Sequence, residues 1–331
     1  MIHLKQAKEG AACTKKTSIG GQALIEGIMM RGPQKSAMAV RNTKGEIVVE
    51  EFETKGAKRP KICKLPIIRG ILAYIDSMTI GYKCLMRSAE LSGLEEVEEE
   101  DGTTQKIPKW LMTLVTIFST LLGFAIAIGL FVWLPAQLYD WTLSRAVTTE
   151  NAALASLIKS VFEGVLKVLL LVGYMAAISL MKDIRRTFMY HGAEHKTIAC
   201  YEAGEELTCE NVKKFTRFHP RCGTSFLLFV MIVSIILYAL LPKFSGDEYS
   251  ALQRLFFRMG TRLLLLPFVA GISYEIIKFA GRSKNVCVKW LTKPGLWLQR
   301  LTTREPDSAQ IETAITSLTA VIPEVEGADK W

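Results

Sequence analysis

The chain has 331 residues, half of them hydrophobic, and a formal charge of +9. With a mean hydropathy of +0.23 it is too apolar for an ordinary soluble protein and calls for several membrane spans. The excess charge does not point to nucleic acid, because the lysines and arginines flank apolar runs and no aromatic–basic recognition pattern accompanies them.

Residues 1–18 read as a polar, lysine-rich, disordered tail without an apolar core, so no cleavable signal peptide is expected there. Residues 19–60 read as a small cytoplasmic β-subdomain. Four glycines between positions 20 and 32 break any long helix and let backbone approach something closely. Ser36 to Arg41 alternates, Asn42-Thr43-Lys44-Gly45 is a turn, and Glu46 to Glu53 alternates again, which predicts a β-hairpin. Glu26 and Arg31 read either as strand-end solubility or as site residues. A helix is predicted over 66–92, with Pro66 near its first position. Arg69, Asp76, Lys83 and Glu90 recur every seven residues along it, so it reads as an amphipathic helix lying on the membrane or packed on the bundle. Residues 95–106 form an acidic linker whose expected role is solvation.

Four spans are predicted between 110 and 280. Trp110 to Trp133 carries no charge and has a tryptophan at each end. The second runs from about Val161 to Met181, with Glu163 and Lys167 spaced to pair at i,i+4. The third is Ser225 to Leu241, and the fourth is about Leu263 to Ala280, with Pro267 as a kink site. The segment before the first span, the 182–221 stretch and the tail after the fourth are rich in Lys and Arg, whereas 136–160 holds Arg145 and Lys159 alone. The positive-inside rule then places both termini in the cytoplasm, as expected for a multi-pass protein of the cell membrane. The seven cysteines follow no disulfide framework and all fall on that side, so free thiols or metal ligands are expected. In the tail (281–331), residues 294–306 read as amphipathic and interfacial. Asp307 reads as the cap of a final helix with Ile311, Ile315, Leu318 and Ile322 on one side. The fold expected is a mainly α membrane protein: four transmembrane helices, a small cytoplasmic β-hairpin subdomain and amphipathic interfacial helices.

The cytoplasmic loop 182–224 holds the chemistry. Two of the four histidines, His191 and His195, lie four apart in Tyr190-His191-Gly192-Ala193-Glu194-His195-Lys196. On a helix they share a face and can offer nitrogens to one metal ion, with Glu194 between them as general base. H-x-x-E-H is the inverzincin order of metallopeptidases. His219 and Cys222 follow a short loop away, and Glu275 lies near the inner end of the fourth span.

Gly20 to Pro33, Tyr190 to Lys196, His219 to Ser225, Ser273-Tyr274-Glu275 and Pro294 to Pro306 resemble the YqhQ-like family of bacterial membrane proteins. The resemblance runs over most of residues 19–320. It implies a membrane protein with a domain of unknown function, described as a predicted metal-dependent enzyme, and it brings no reaction with it.

If the site is catalytic, His191 and His195 bind Zn2+ with one further ligand and an open position. The third ligand is expected from His219, Cys222, Glu202 or Glu275, with His219 the most natural. Glu202 lies roughly 10 Å further along one straight helix, beyond reach of the same ion. Arg221 would hold an anionic substrate group, polarise a carbonyl or contact lipid phosphate. If the site is structural, His219 and Cys222 both close it and Glu194 becomes a supporting partner. The expectation is a zinc hydrolase, peptidase-like, at the cytoplasmic face. The alternative is a zinc-stapled scaffold, or an adaptor holding an unidentified protein partner at the lipid bilayer.

Overall fold

The computed structural model describes residues 16–54, 59–93, 96–98, 104–106, 108–143, 151–239, 250–283, 285–325 and 327–330. Most of the expected tail (1–18) and much of the acidic stretch at 95–106 lie outside them.

The glycine-rich stretch and the predicted hairpin form one antiparallel sheet of four strands in chain order: β1 (Gly20–Leu24), β2 (Gly27–Arg31), β3 (Lys35–Arg41) and β4 (Ile47–Glu53). The register pairs Met29 with Met38 and Met30 with Ala37. Alternation therefore sends Leu24, Met29, Met38 and Val40 to one face and Ile28, Met30 and Ala37 to the other. Both faces are buried, so the central strands carry almost unbroken apolar runs rather than an alternating pattern.

Helix α1 (Ile68–Leu91) covers the first face with Ile80 and Cys84. It starts two residues after Pro66, because Ile67 adopts a left-handed backbone (φ 67°) and cannot continue a helix N-terminally. Its Asp76 is buried and paired, accepting from Arg31 at 3.1 Å and from Arg59 at 2.7 Å. The two short strands β5 (Glu96–Glu98) and β6 (Thr104–Lys106) pair with each other.

Among the described residues, three helices are long and apolar enough to cross a membrane: Trp110–Thr142, Leu157–Ile178 and Met259–Arg282. The first is α2 (Lys109–Ile128) running through a π-helical turn (Gly129–Trp133) into α3 (Leu134–Thr142). The second lies in α4 (Ala152–Ile178), where Lys167 Nζ reaches Glu163 at 3.3 Å as the spacing predicts. The predicted third span is a shorter apolar helix of 17 residues, here numbered after α5 (Lys182–Ala203) and α6 (Cys209–Lys213) as α7 (Gly223–Ala239). The third long helix is the end of α8 (Ala251–Arg282), which opens on a Ser250/Gln253 capping box and contains Pro267. Then come α9 (Val286–Thr302) and α10 (Ser308–Val321), the latter capped by Asp307 with Gln310 in a second capping box.

Helices α5 and α10 cover the second face of the sheet. Tyr190, Ala193, Ile198 and Cys200 of α5 join Ile311, Ala314, Leu318 and Val321 of α10 against Ile28, Met30 and Ala37. The layers are thus α1, sheet, then α5 with α10, and the apolar helices extend from this body.

Candidate metal centre

A straight extension of α4 would carry the histidines far from its end. The chain breaks instead: Met181 is extended (ψ 133°), and α5 begins afresh at Lys182. The helix ends at Gly204 in a left-handed cap (φ 74°). The apolar side of α5 is held against the sheet and α10, which fixes its rotation and turns His191 and His195 toward the loop before α7 and the end of α9. Their rings meet edge to face at 4.4 Å between centroids.

His191, His195 and Cys222 form a group whose donor atoms all lie within 4.8 Å of one another. Their orientation suits a cation. His191 Nδ1 lies 2.8 Å from the Thr302 carbonyl, and His195 Nδ1 lies 2.6 Å from the Arg217 carbonyl. A carbonyl only accepts, so each Nδ1 carries a proton and each Nε2 is the nitrogen left to face a cation. His191 Nε2 stands 3.2 Å from Cys222 Sγ. Cys222 immediately precedes α7, and its sulfur accepts from the Thr224 amide at 3.4 Å in the first turn.

The electrostatics couple these groups. Burial pushes the Cys222 thiol up, yet the neighbouring His191 and His195 hold it well below its ordinary value. Burial pushes His191 down, but Cys222 and Glu194 outweigh it and raise the imidazole to about 9. Cysteine and histidine share a proton that a divalent cation would displace.

Glu194 is 5% exposed, and burial raises its carboxyl above the usual carboxylate range against the pull of His191 and His195. The Gly21 amide donates to it, while Oε2 has no hydrogen-bond partner. Gly21 is there for space: a Cβ at that position would stand 2.9 Å from Glu194 Cδ and 2.8 Å from the Met29 carbonyl. An orphaned buried carboxylate oxygen beside two imidazoles and a thiol fits the presence of a cation or a polar ligand.

The remaining predicted residues are placed elsewhere. His219 is outside the donor group. Its Nε2 faces Glu202 at 3.8 Å and Arg221 at 3.3 Å, and its ring lies 5.6 Å from that of His195. Burial lowers its pKa. Arg221 gives its guanidinium to Glu202 and to the Thr17 carbonyl, the latter at 2.6 Å. Glu275 is not brought to the centre: it is paired with Arg69 of α1, whose Nε donates at 2.6 Å. Glu26 pairs with Arg186 and accepts from Tyr190 Oη at 3.2 Å, bracing α5 from the β1–β2 turn. Cys63, Cys84, Cys200, Cys209 and Cys222 are all free.

Four contributors have no signal in the sequence. The Thr302 and Arg217 carbonyls and the Gly21 amide are backbone groups. Gln299 is a buried amide in an otherwise amphipathic stretch. It accepts from the His219 amide at 2.8 Å and donates to the His219 carbonyl at 2.7 Å, gripping that residue's backbone from both sides.

Residues 65–324 match the family described as Protein of unknown function (DUF1385). The chain is 36% identical over 309 residues, 92% of each chain, to the Uncharacterized protein YqhQ of Bacillus subtilis (strain 168). No solved structure matches it. With a match over most of its length and a relative aligned nearly end to end, this chain belongs to the DUF1385 family.

Proposed function

We propose that the protein is a membrane-embedded, metal-dependent hydrolase with its centre at His191, His195 and Cys222, on the cytoplasmic side of a four-span bundle. The observation that supports it is the donor group itself: three side chains face one another, while the fourth candidate, His219, is turned to Glu202. Three protein ligands leave a coordination position open, the arrangement of catalytic rather than structural zinc sites. When bound, a divalent ion such as Zn2+ supplies a Lewis acid for hydrolysis. Glu194 is the proton-accepting group. Burial raises its proton affinity, which suits a carboxylate that takes a proton and returns it. Thr302 and Arg217 keep the two imidazoles aimed. Arg221, bound to Glu202, is a positioning residue that fixes the loop carrying Cys222. The H-x-x-E-H order favours a peptide bond as the target.

A closed metal staple is the competing reading, and burial speaks for it: His195 is 1% exposed and Glu194 5%. Elemental mass spectrometry on the detergent-purified protein separates the two. Wild type and His219→Ala are expected to hold about one metal ion per chain, with loss in His191→Ala, His195→Ala and Cys222→Ala. Loss in His219→Ala as well would indicate a four-ligand staple. No metal in any sample after zinc reconstitution would end both readings. Glu194→Gln is expected to keep metal and fold and lose the cellular function. Full function in that variant would remove the hydrolase.

A further inference from the structure

Helix α9 has two faces with different duties. Its inward face holds the centre in place. Gln299 grips His219, the Thr302 carbonyl takes the His191 proton, and Gly295 packs on Ser225 so tightly that a Cβ there would lie 2.6 Å from Ser225 Oγ. Its outward face stands open. Val286, Trp290 and Trp297 are 68%, 66% and 54% exposed, and the two tryptophans lie two turns apart on one stripe.

The surroundings say what covers that stripe. Helix α9 follows the end of α8, which is long and apolar enough to cross a membrane. It packs beside the first turn of α7, a second strongly apolar helix. The ends of two apolar helices therefore meet at α9, which puts it at the boundary between hydrocarbon and water. Tryptophan is favoured at that boundary. Between positions 278 and 304 the chain carries seven lysines and arginines and no acidic residue. Lys293 Nζ stands 4.2 Å over the Trp290 ring, and Arg300 is exposed. A basic, aromatic face of this kind complements anionic headgroups.

We propose that the outward face of α9 docks on the anionic headgroup layer of the bilayer, so that the helix gripping His219 and His191 is anchored at that depth. The docking does not require a bound metal, so its test is independent of the hydrolase reading. Full-length protein carrying p-benzoylphenylalanine in place of Trp290, of Trp297, or of exposed Thr319 on α10 is reconstituted into vesicles of phosphatidylethanolamine and phosphatidylglycerol. After illumination, mass spectrometry reads the adducts. Phospholipid adducts are expected at 290 and 297, several-fold above those at 319. They are expected to fall several-fold in phosphatidylcholine vesicles and in Lys293→Glu/Arg300→Glu. Adducts at 290 and 297 no higher than at 319 would overturn the proposal. So would cross-linked chain dimers in place of lipid adducts, or adducts indifferent to vesicle and protein charge. Val286 serves as the third label site if a tryptophan replacement fails to insert.

Discussion

At Glu202 one carboxylate serves three partners from two other parts of the chain. It accepts from the Thr17 amide at 2.8 Å, pairs with Arg221, and faces His219 at 3.8 Å. Burial would raise its pKa, but the contacts to His219 and Arg221 outweigh burial and lower it to about 2. A carboxyl depressed in the folded state contributes stability that is full above its unfolded value and lost as pH falls toward the folded one. Thermal melts of the detergent-solubilised protein are therefore expected to fall steeply as pH drops from about 4.5 toward about 2. In Glu202→Gln this acid limb is expected to flatten, and stability near neutral pH to drop by about 3–5 kcal/mol, because the buried Glu202–Arg221 pair is broken from one side. An unchanged acid limb would mean that other carboxylates govern it. This network also shows why the third donor was not legible in the sequence. His219 and Cys222 sit three residues apart in one loop, and spacing alone does not choose between them. What decides between them is Glu202 drawing His219 aside and Gln299 fixing its backbone, long-range contacts that no local pattern announces.

Among the elements, α1 and α8 meet through Arg69 and Glu275, a pair placed beside an apolar helix rather than in open water. Removing one partner leaves the other charge unpaired in poor solvent, whereas removing both does not. Arg69→Ala and Glu275→Ala are each expected to lower stability, with the double variant better than their sum predicts and a coupling of about 0.5–3 kcal/mol. Denaturation of all four proteins in one detergent measures it, and additivity would show that the pair contributes nothing. Periodicity made much at this scale legible. The β3–β4 hairpin, the α10 cap at Asp307 and the i,i+4 pair Glu163–Lys167 all follow from local chemistry. The first hairpin was harder to read. Its glycines weaken strand propensity, and its central strand is buried on both sides, so Ile28, Met29 and Met30 show no alternation to detect. The pairing of Glu275 has no local signal, because Arg69 lies 206 residues earlier in the chain.

For the molecule as a whole, packing constrains how many times the chain crosses the membrane. The sheet precedes α2, α5 lies between α4 and α7, and α10 follows α8, yet side chains of all three elements share one core, with Ile28, Ala193 and Ile311 among its members. That body must lie on one side of the bilayer, so an even number of crossings separates each pair of its parts. If helices α2–α3 and α4 both cross, they supply two crossings between the sheet and α5. If α8 crosses between α5 and α10, α7 must cross as well. Its 17 residues span about 26 Å, short of a hydrocarbon core of about 30 Å. Local thinning of the bilayer accommodates a mismatch of this size. If all these helices cross, four crossings satisfy the core, with the sheet, α5 and α10 on one side of the bilayer, which the positive-inside rule makes the inner side. Reporter insertions test it: positions within 144–150 and 240–249 are expected outside, and positions near 205 and after 321 inside. A reporter in 240–249 found on the inner side would mean that α7 turns back. The chain would then reach α10 from the wrong side of the membrane, and the shared core of sheet, α5 and α10 could not form.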